Sequence, residues 1–159
     1  MPDPARPIAL DAAAVPSRAG AQFLPEPYRA RLAGRVKHAL GDAFGLRAFG
    51  VNLTRLPPRD ASALHHRHTV QDEFVYVLEG RPTLVTDAGE AELSAGMCAG
   101  FPASGVAHHL ENRTDRDVVF LEVGDRGAGD HVIYPDEDLA LVADPDGKRR
   151  FVHRDGTPY

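Results

Sequence analysis

His66-Arg67-His68-Thr69-Val70-Gln71-Asp72-Glu73-Phe74-Val75-Tyr76-Val77-Leu78-Glu79-Gly80 is the stretch on which the reading of this chain turns. In extended backbone, residues two apart point to the same side. His66 and His68 therefore project together, with Arg67 turned away. Glu73 heads the next run, and its face continues through Val75 and Val77, while Phe74, Tyr76 and Leu78 share the other. Gly80, Arg81 and Pro82 supply the turn that ends the strand. Two imidazoles and a carboxylate on one side of a sheet are the beginning of a divalent metal site.

The rest of the composition fits a β-rich molecule around that site. A chain of 159 residues makes one domain with a sizeable core. It has no tryptophan, 15 glycines and 13 prolines, which favours short strands and turns over long helices. A net charge of −5 with scattered arginines argues against a nucleic-acid or anionic-membrane surface. The single cysteine, Cys98, excludes an intrachain disulfide and is expected as a small apolar residue in a packed strand. The first 22 residues lack a basic start followed by an apolar run, so no secretory signal is expected. Residues 93–110 carry no Asp, Glu, Lys or Arg, yet glycines, Pro102 and two histidines make them a poor membrane span. The cytoplasm is the expected location.

Working outward, residues 1–25 read as an extended arm rich in Pro and Ala. A short helix is expected from Pro25 to Leu32, ended by Gly34. Residues 35–40 suggest a strand and 41–45 a loop. Phe49, Val51 and Leu53 then alternate with Asn52 and Thr54 until Pro57 and Pro58. Short strands are expected at 63–68, 73–78, 83–86, 91–93, 97–101, 106–111 and 118–123, with a further one at 131–134. Many short strands with turn chemistry between them argue an all-β sandwich or closed barrel. The end of the chain, around 149–153, is expected to pack on the barrel or reach a partner chain.

A second segment, Gly96, Pro102, Gly105, His108 and Asn112, holds the missing ligand. His108 shares a face with Val106 and Leu110, and His109 points the other way; Asn112 can close the following turn by bonding backbone groups. Together the two segments resemble the cupin family. Its first motif, HxHx4Ex6G, is met by His66, His68, Glu73 and Gly80 at every spacing. Its second, Gx5PxGx2Hx3N, is met by Gly96, Pro102, His108 and Asn112. The chain departs in two places: Asp60 stands where a glycine is expected, and one extra residue lies before His108, so Ser104 or Gly105 must make the turn.

The resemblance implies a double-stranded β-helix, or jelly-roll, cupin barrel over residues 46–125. An N-terminal arm, 1–45, packs on it, and a C-terminal extension covers 126–159. It further implies a homodimer and a metal held by His66, His68, Glu73 and His108. His65 is the nearest rival ligand but alternation turns it outward, and Asp72 fits the spacing less well than Glu73. His38, His109, His131 and His153 are read as structural or exposed, Arg67 and Arg113 as solvated.

Three imidazoles and a carboxylate suit iron, manganese, nickel or zinc and leave positions for water, oxygen or substrate. The expected function is a metal-dependent enzyme of dioxygenase, isomerase or lyase/decarboxylase type, acting on a small oxygenated organic compound. The alternative is a non-catalytic cupin that binds a small molecule as a sensor. No separate general acid or base can be assigned from the residues alone.

Overall fold

The computed structural model describes residues 7–19, 23–144 and 146–159. Its strands are β1 Ser17–Ala19, β2 Val36–Ala39, β3 Phe49–Leu56, β4 Arg67–His68, β5 Glu73–Glu79, β6 Thr83–Thr86 and β7 Gly89–Glu92. They continue with β8 Cys98–Phe101, β9 His108–Glu111, β10 Val118–Asp125, β11 Val132–Tyr134, β12 Leu139–Ala143 and β13 Arg149–Val152. All pairings are antiparallel, in three sheets ordered β1-β2-β3-β10-β5-β8, β13-β12-β11-β4 and β7-β6-β9. Two isolated bridges, His66↔His108 and Ala61↔Glu111, tie the segment leading into β4 to β9. The result is the expected jelly roll, with sheets that face one another without closing into a single ladder.

β10 is the spine of the largest sheet, pairing with β3 along its whole length and with β5 on its other edge. Alternation sends Val118 and Phe120 inward, and both are fully buried. They meet Leu56, Val75, Val77, Phe101 and Leu110 in the main core, which thus joins the largest sheet to β9. Burying each such side chain contributes about 1.5–3 kcal/mol. A second core, under the N-terminal arm, gathers Leu24, Tyr28, Leu32, Leu64, Val132, Tyr134 and Leu139.

Several local expectations change. Residues 63–65 are bends and His66 an isolated bridge, with a strand only at Arg67–His68. The segment expected as a loop begins with a short helix, Leu40–Ala43, and Pro25–Leu32 narrows to a 3-10 turn at Arg29–Leu32. The arm is not merely extended, because β1 pairs with β2 at the sheet edge; its residues 1–6 and 20–22 lie outside the described ones. β12 was not expected at all, since Leu-Ala-Leu-Val-Ala lacks an alternating polar face. Cys98 is exposed, because its position in β8 faces outward opposite Tyr76. Phe74, Tyr76 and Leu78 also face outward, at 41%, 39% and 40% exposure.

The turn before His108 uses both candidate residues. Ser104 takes the left-handed conformation (φ 58°). A Cβ on Gly105 would come within 2.7 Å of the Pro102 carbonyl, which itself accepts the Gly105 N–H at 2.9 Å. Asn112 closes the far end as expected, donating to the carbonyls of Leu56 (2.9 Å) and Arg116 (2.7 Å).

Candidate metal centre

β5 begins at Glu73, and its inward face points that carboxylate toward the bend that precedes β4. The backbones of His66 and His108 pair directly there, with N–H to O distances of 3.2 and 2.8 Å. That bridge sets the two rings side by side, centroids 4.9 Å apart, and His68 follows at 5.4 Å from His66. One oxygen, Glu73 Oε2, lies 3.0 Å from His108 Nε2, 3.4 Å from His66 Nε2 and 3.5 Å from His68 Nε2. Ligand atoms of His66, His68 and Glu73 all fall within 4.8 Å of one another. The four residues singled out in the sequence therefore meet at one place, from three separate parts of the chain.

The outer nitrogens have partners too. His66 Nδ1 faces the Leu64 carbonyl at 2.8 Å, and His68 Nδ1 faces Asp130 Oδ2 at 2.6 Å. His108 Nδ1 lies 3.4 Å from the Val106 carbonyl, and its ring stacks on Phe101 with centroids 3.5 Å apart. An Nδ1–H donated to an oxygen leaves Nε2 as a bare lone pair. Three such lone pairs and a carboxylate oxygen turned toward one another call for a cation between them, and the donor set fits a divalent ion.

The electrostatics follow from this geometry. Burial opposes ionisation of Glu73, but when the facing Nε2 nitrogens carry protons, as they can with no metal bound, hydrogen bonds from His108, His66 and His68 outweigh it and hold the carboxyl far below the ordinary carboxylate range. His68 shows the reverse balance: burial disfavours its charge, yet Glu73 and Asp130 raise its pKa. For His108 burial prevails and the pKa falls.

Asp130 was not singled out in the sequence. It is 3% exposed, and its second oxygen accepts the N–H groups of Thr69, Val70 and Gln71 at 3.1, 3.0 and 3.3 Å. Arg149 Nη2 adds a contact at 3.1 Å. One carboxylate thus orients His68 and shapes the bend between β4 and β5. Nothing in the polar segment after Asp125 marks it, because its partners are some sixty residues earlier.

A polar strip on the inner face of the largest sheet was also missed. Lys37 pairs with Thr54, Asn52 with Glu122, and Glu122 with Val75, so these side chains share the face of Glu73. Glu122 Oε2 forms an ion pair with Lys37 Nζ (2.6 Å) and takes a hydrogen bond from Thr54 Oγ1 (2.8 Å). A sequence signal existed: Glu122 continues the inward series of Val118 and Phe120, where a charge is out of place.

A cavity of about 560 Å³ opens over His66 and His68, with Arg35, Lys37, Tyr134 and Arg149 on its walls. Burial raises the Tyr134 pKa to about 12, against the pull of Arg149 and Arg35. Rival ligands point elsewhere, as alternation requires. His65 turns outward to Asp87 (2.8 Å) and His109 (3.1 Å), and Asp72 accepts the Ala103 N–H. Arg113 pairs with Glu90 and Glu111 on the surface.

A jelly roll with three inward histidines and a glutamate at the head of one strand is the cupin arrangement. Residues 52–124 match the family model of the cupin domain. The whole chain is similar to a sugar phosphate isomerase of the cupin superfamily from Silicibacter pomeroyi, with 42% identity, a TM-score of 0.88, and 95% of this chain and 96% of that one covered. A candidate sugar phosphate isomerase from Acidithiobacillus ferrooxidans shares 33% identity at a TM-score of 0.71, covering 79% and 80% of the two chains. The polyketide cyclase RemF from Streptomyces resistomycificus shares the fold at 22% identity and a TM-score of 0.60, over 74% and 78%. No curated protein matches the chain. This protein belongs to the cupin superfamily. No helix among the described residues is long and apolar enough to cross a membrane.

Proposed function

We propose that this cupin is a metal-dependent isomerase that interconverts the aldose and ketose forms of a small phosphorylated sugar, with His66, His68, Glu73 and His108 as the metal ligands. The observation that carries the reading is the convergence of three Nε2 atoms on Glu73 Oε2 at 3.0–3.5 Å, with His66 and His68 of that cluster lining a cavity that also holds Arg35 and Arg149. Bound there, a divalent iron, manganese, nickel or zinc ion supplies Lewis-acid polarisation of a carbonyl and its neighbouring hydroxyl.

The protein's own residues do the rest. Arg35 and Arg149 give the cavity a positive wall suited to a phosphate. Phe101 stacks on His108 and excludes water from one flank of the cluster. Asp130 and the Leu64 carbonyl fix the ring orientations of His68 and His66. Isomerisation is favoured over the dioxygenase and decarboxylase readings by the 42% identity to a protein named for sugar phosphate isomerisation. The unpartnered outer face at Phe74, Tyr76 and Leu78 supports assembly as a homodimer.

The test starts with metal analysis of the purified protein, then chelation, then assay against a panel of aldose and ketose phosphates. Interconversion that is lost on chelation and restored by one metal is the expected result. Metal bound in full, with sugar phosphates raising the melting temperature but never converted, would replace the enzyme with a non-catalytic binding module.

A further inference from the structure

The isomerase reading leaves open which group moves the proton, and the inner strip of the largest sheet answers it. Glu122 sits opposite Val75 and diagonal to Glu73 on adjacent strands. At that spacing, side chains on one sheet face lie about 7–8 Å apart at their Cα atoms, within reach of a substrate held between them. A small recess of about 70 Å³ is shared by Glu122 and Lys37 on one side and His66, Glu73 and His108 on the other. It admits a few heavy atoms, the size of a reacting two-carbon unit.

Glu122 is held firmly but only by one oxygen. Oε2 pairs with Lys37 Nζ and accepts from Thr54 Oγ1, whereas Oε1 has no hydrogen-bond partner among the described residues. Thr54 is itself fully buried. Stability does not explain this pair, since a partly buried ion pair is often matched or bettered by apolar residues of the same volume. A carboxylate fixed through one oxygen, on the wall of the recess it shares with His66, Glu73 and His108, is instead what a general base requires.

Resting on the isomerase reading, we infer that Glu122 is the catalytic base of this protein, and that Lys37 and Thr54 are its positioning residues. In the forward step Glu122 Oε1 takes the proton from the carbon next to the carbonyl. The C–H electron pair forms the carbon–carbon double bond of an enediolate, and the carbonyl π pair moves onto the carbonyl oxygen as its negative charge. Glu122 then returns that proton to the former carbonyl carbon, while the hydroxyl proton moves from one oxygen to the other. Nothing is gained or lost overall, and no co-reactant is needed.

The experiment uses the full chain loaded with metal, incubated in deuterated water with the sugar phosphate that wild type converts, and read by proton NMR. Wild type should wash deuterium into the carbon next to the carbonyl, in recovered substrate as well as product. Glu122→Gln should keep its metal stoichiometry and its KM within a few-fold, lose the exchange, and lower kcat about 100-fold or more. Glu122→Asp should recover part of it. The double variant Glu122→Gln/Lys37→Met, which leaves no unpaired charge, should be equally inactive while folding as stably as wild type. Exchange retained in Glu122→Gln, or activity restored in the double variant, would overturn Glu122 as base and leave the isomerase standing. Wild type that binds metal but neither converts nor exchanges any sugar phosphate would refute both.

Discussion

Replacing Asp130 by Asn separates the two tasks of that side chain. Asn can keep one oxygen for the three N–H groups of Thr69, Val70 and Gln71. Its NH₂ group must then face His68 Nδ1–H and the Arg149 guanidinium, where Asp130 Oδ2 accepts at 2.6 and 3.1 Å. The lost charge-assisted bond to His68 is worth about 1.5–3 kcal/mol. Arg149 is 44% exposed, so its share is at most about 1 kcal/mol. The metal-free protein should lose about 2–4 kcal/mol, which lowers the melting temperature of a chain this size by roughly 5–15 °C.

The effect on the metal is separate. Donor facing donor pushes the His68 proton from Nδ1 to Nε2, the nitrogen that faces Glu73. Metal affinity should fall about 10–100-fold. Asp130→Ala does not force that tautomer, but it strips the acceptor from all three backbone N–H groups. The expected order is thus opposite for the two readouts: Asn worse for metal, Ala worse for stability. Titration against a competing chelator gives the first quantity and urea unfolding of the metal-free protein the second. Metal affinity within two-fold of wild type in Asp130→Asn, with stability reduced, would refute the orienting role.

Other changes test the frame. Asn112→Ala should cost about 2–4 kcal/mol in urea unfolding, because a side chain at 1% exposure loses its bonds to Leu56 and Arg116 and two backbone carbonyls lose their donor. Gly80→Ala should cost about 1–3 kcal/mol, since the residue has φ 81° and its Cβ would sit 2.7 Å from the Asp117 carbonyl; a neutral result would disprove the strain. Tyr134 should make stability fall with alkali. Its pKa is about 12 folded against an ordinary 10, so the neutral form favours folding and the benefit is lost as pH rises above 10. Between pH 9 and 11 wild type should lose about 1.3 kcal/mol more than Tyr134→Phe, and equal losses would contradict the burial.

The local parts were legible in the order of residues alone. Period-two alternation fixed which side of each strand His66, His68, Glu73 and His108 would take, and turn chemistry fixed where strands end. Strand geometry converts spacing into direction within each segment, but it was the resemblance of both segments to the cupin motifs that joined His108 to His66, His68 and Glu73. The same alternation turned His65 and His109 outward.

Which faces meet is set by long-range packing. Phe74, Tyr76 and Leu78 are as apolar as a core face, yet they lie outside because Glu73 and its valines occupy the inside. Leu139–Ala143 became a strand through pairing with β11 and β13, not through its own pattern. Asp130, Lys37 and Glu122 acquire their roles from partners far away in the chain, and a long-range pairing register leaves no mark on the local sequence that would announce it.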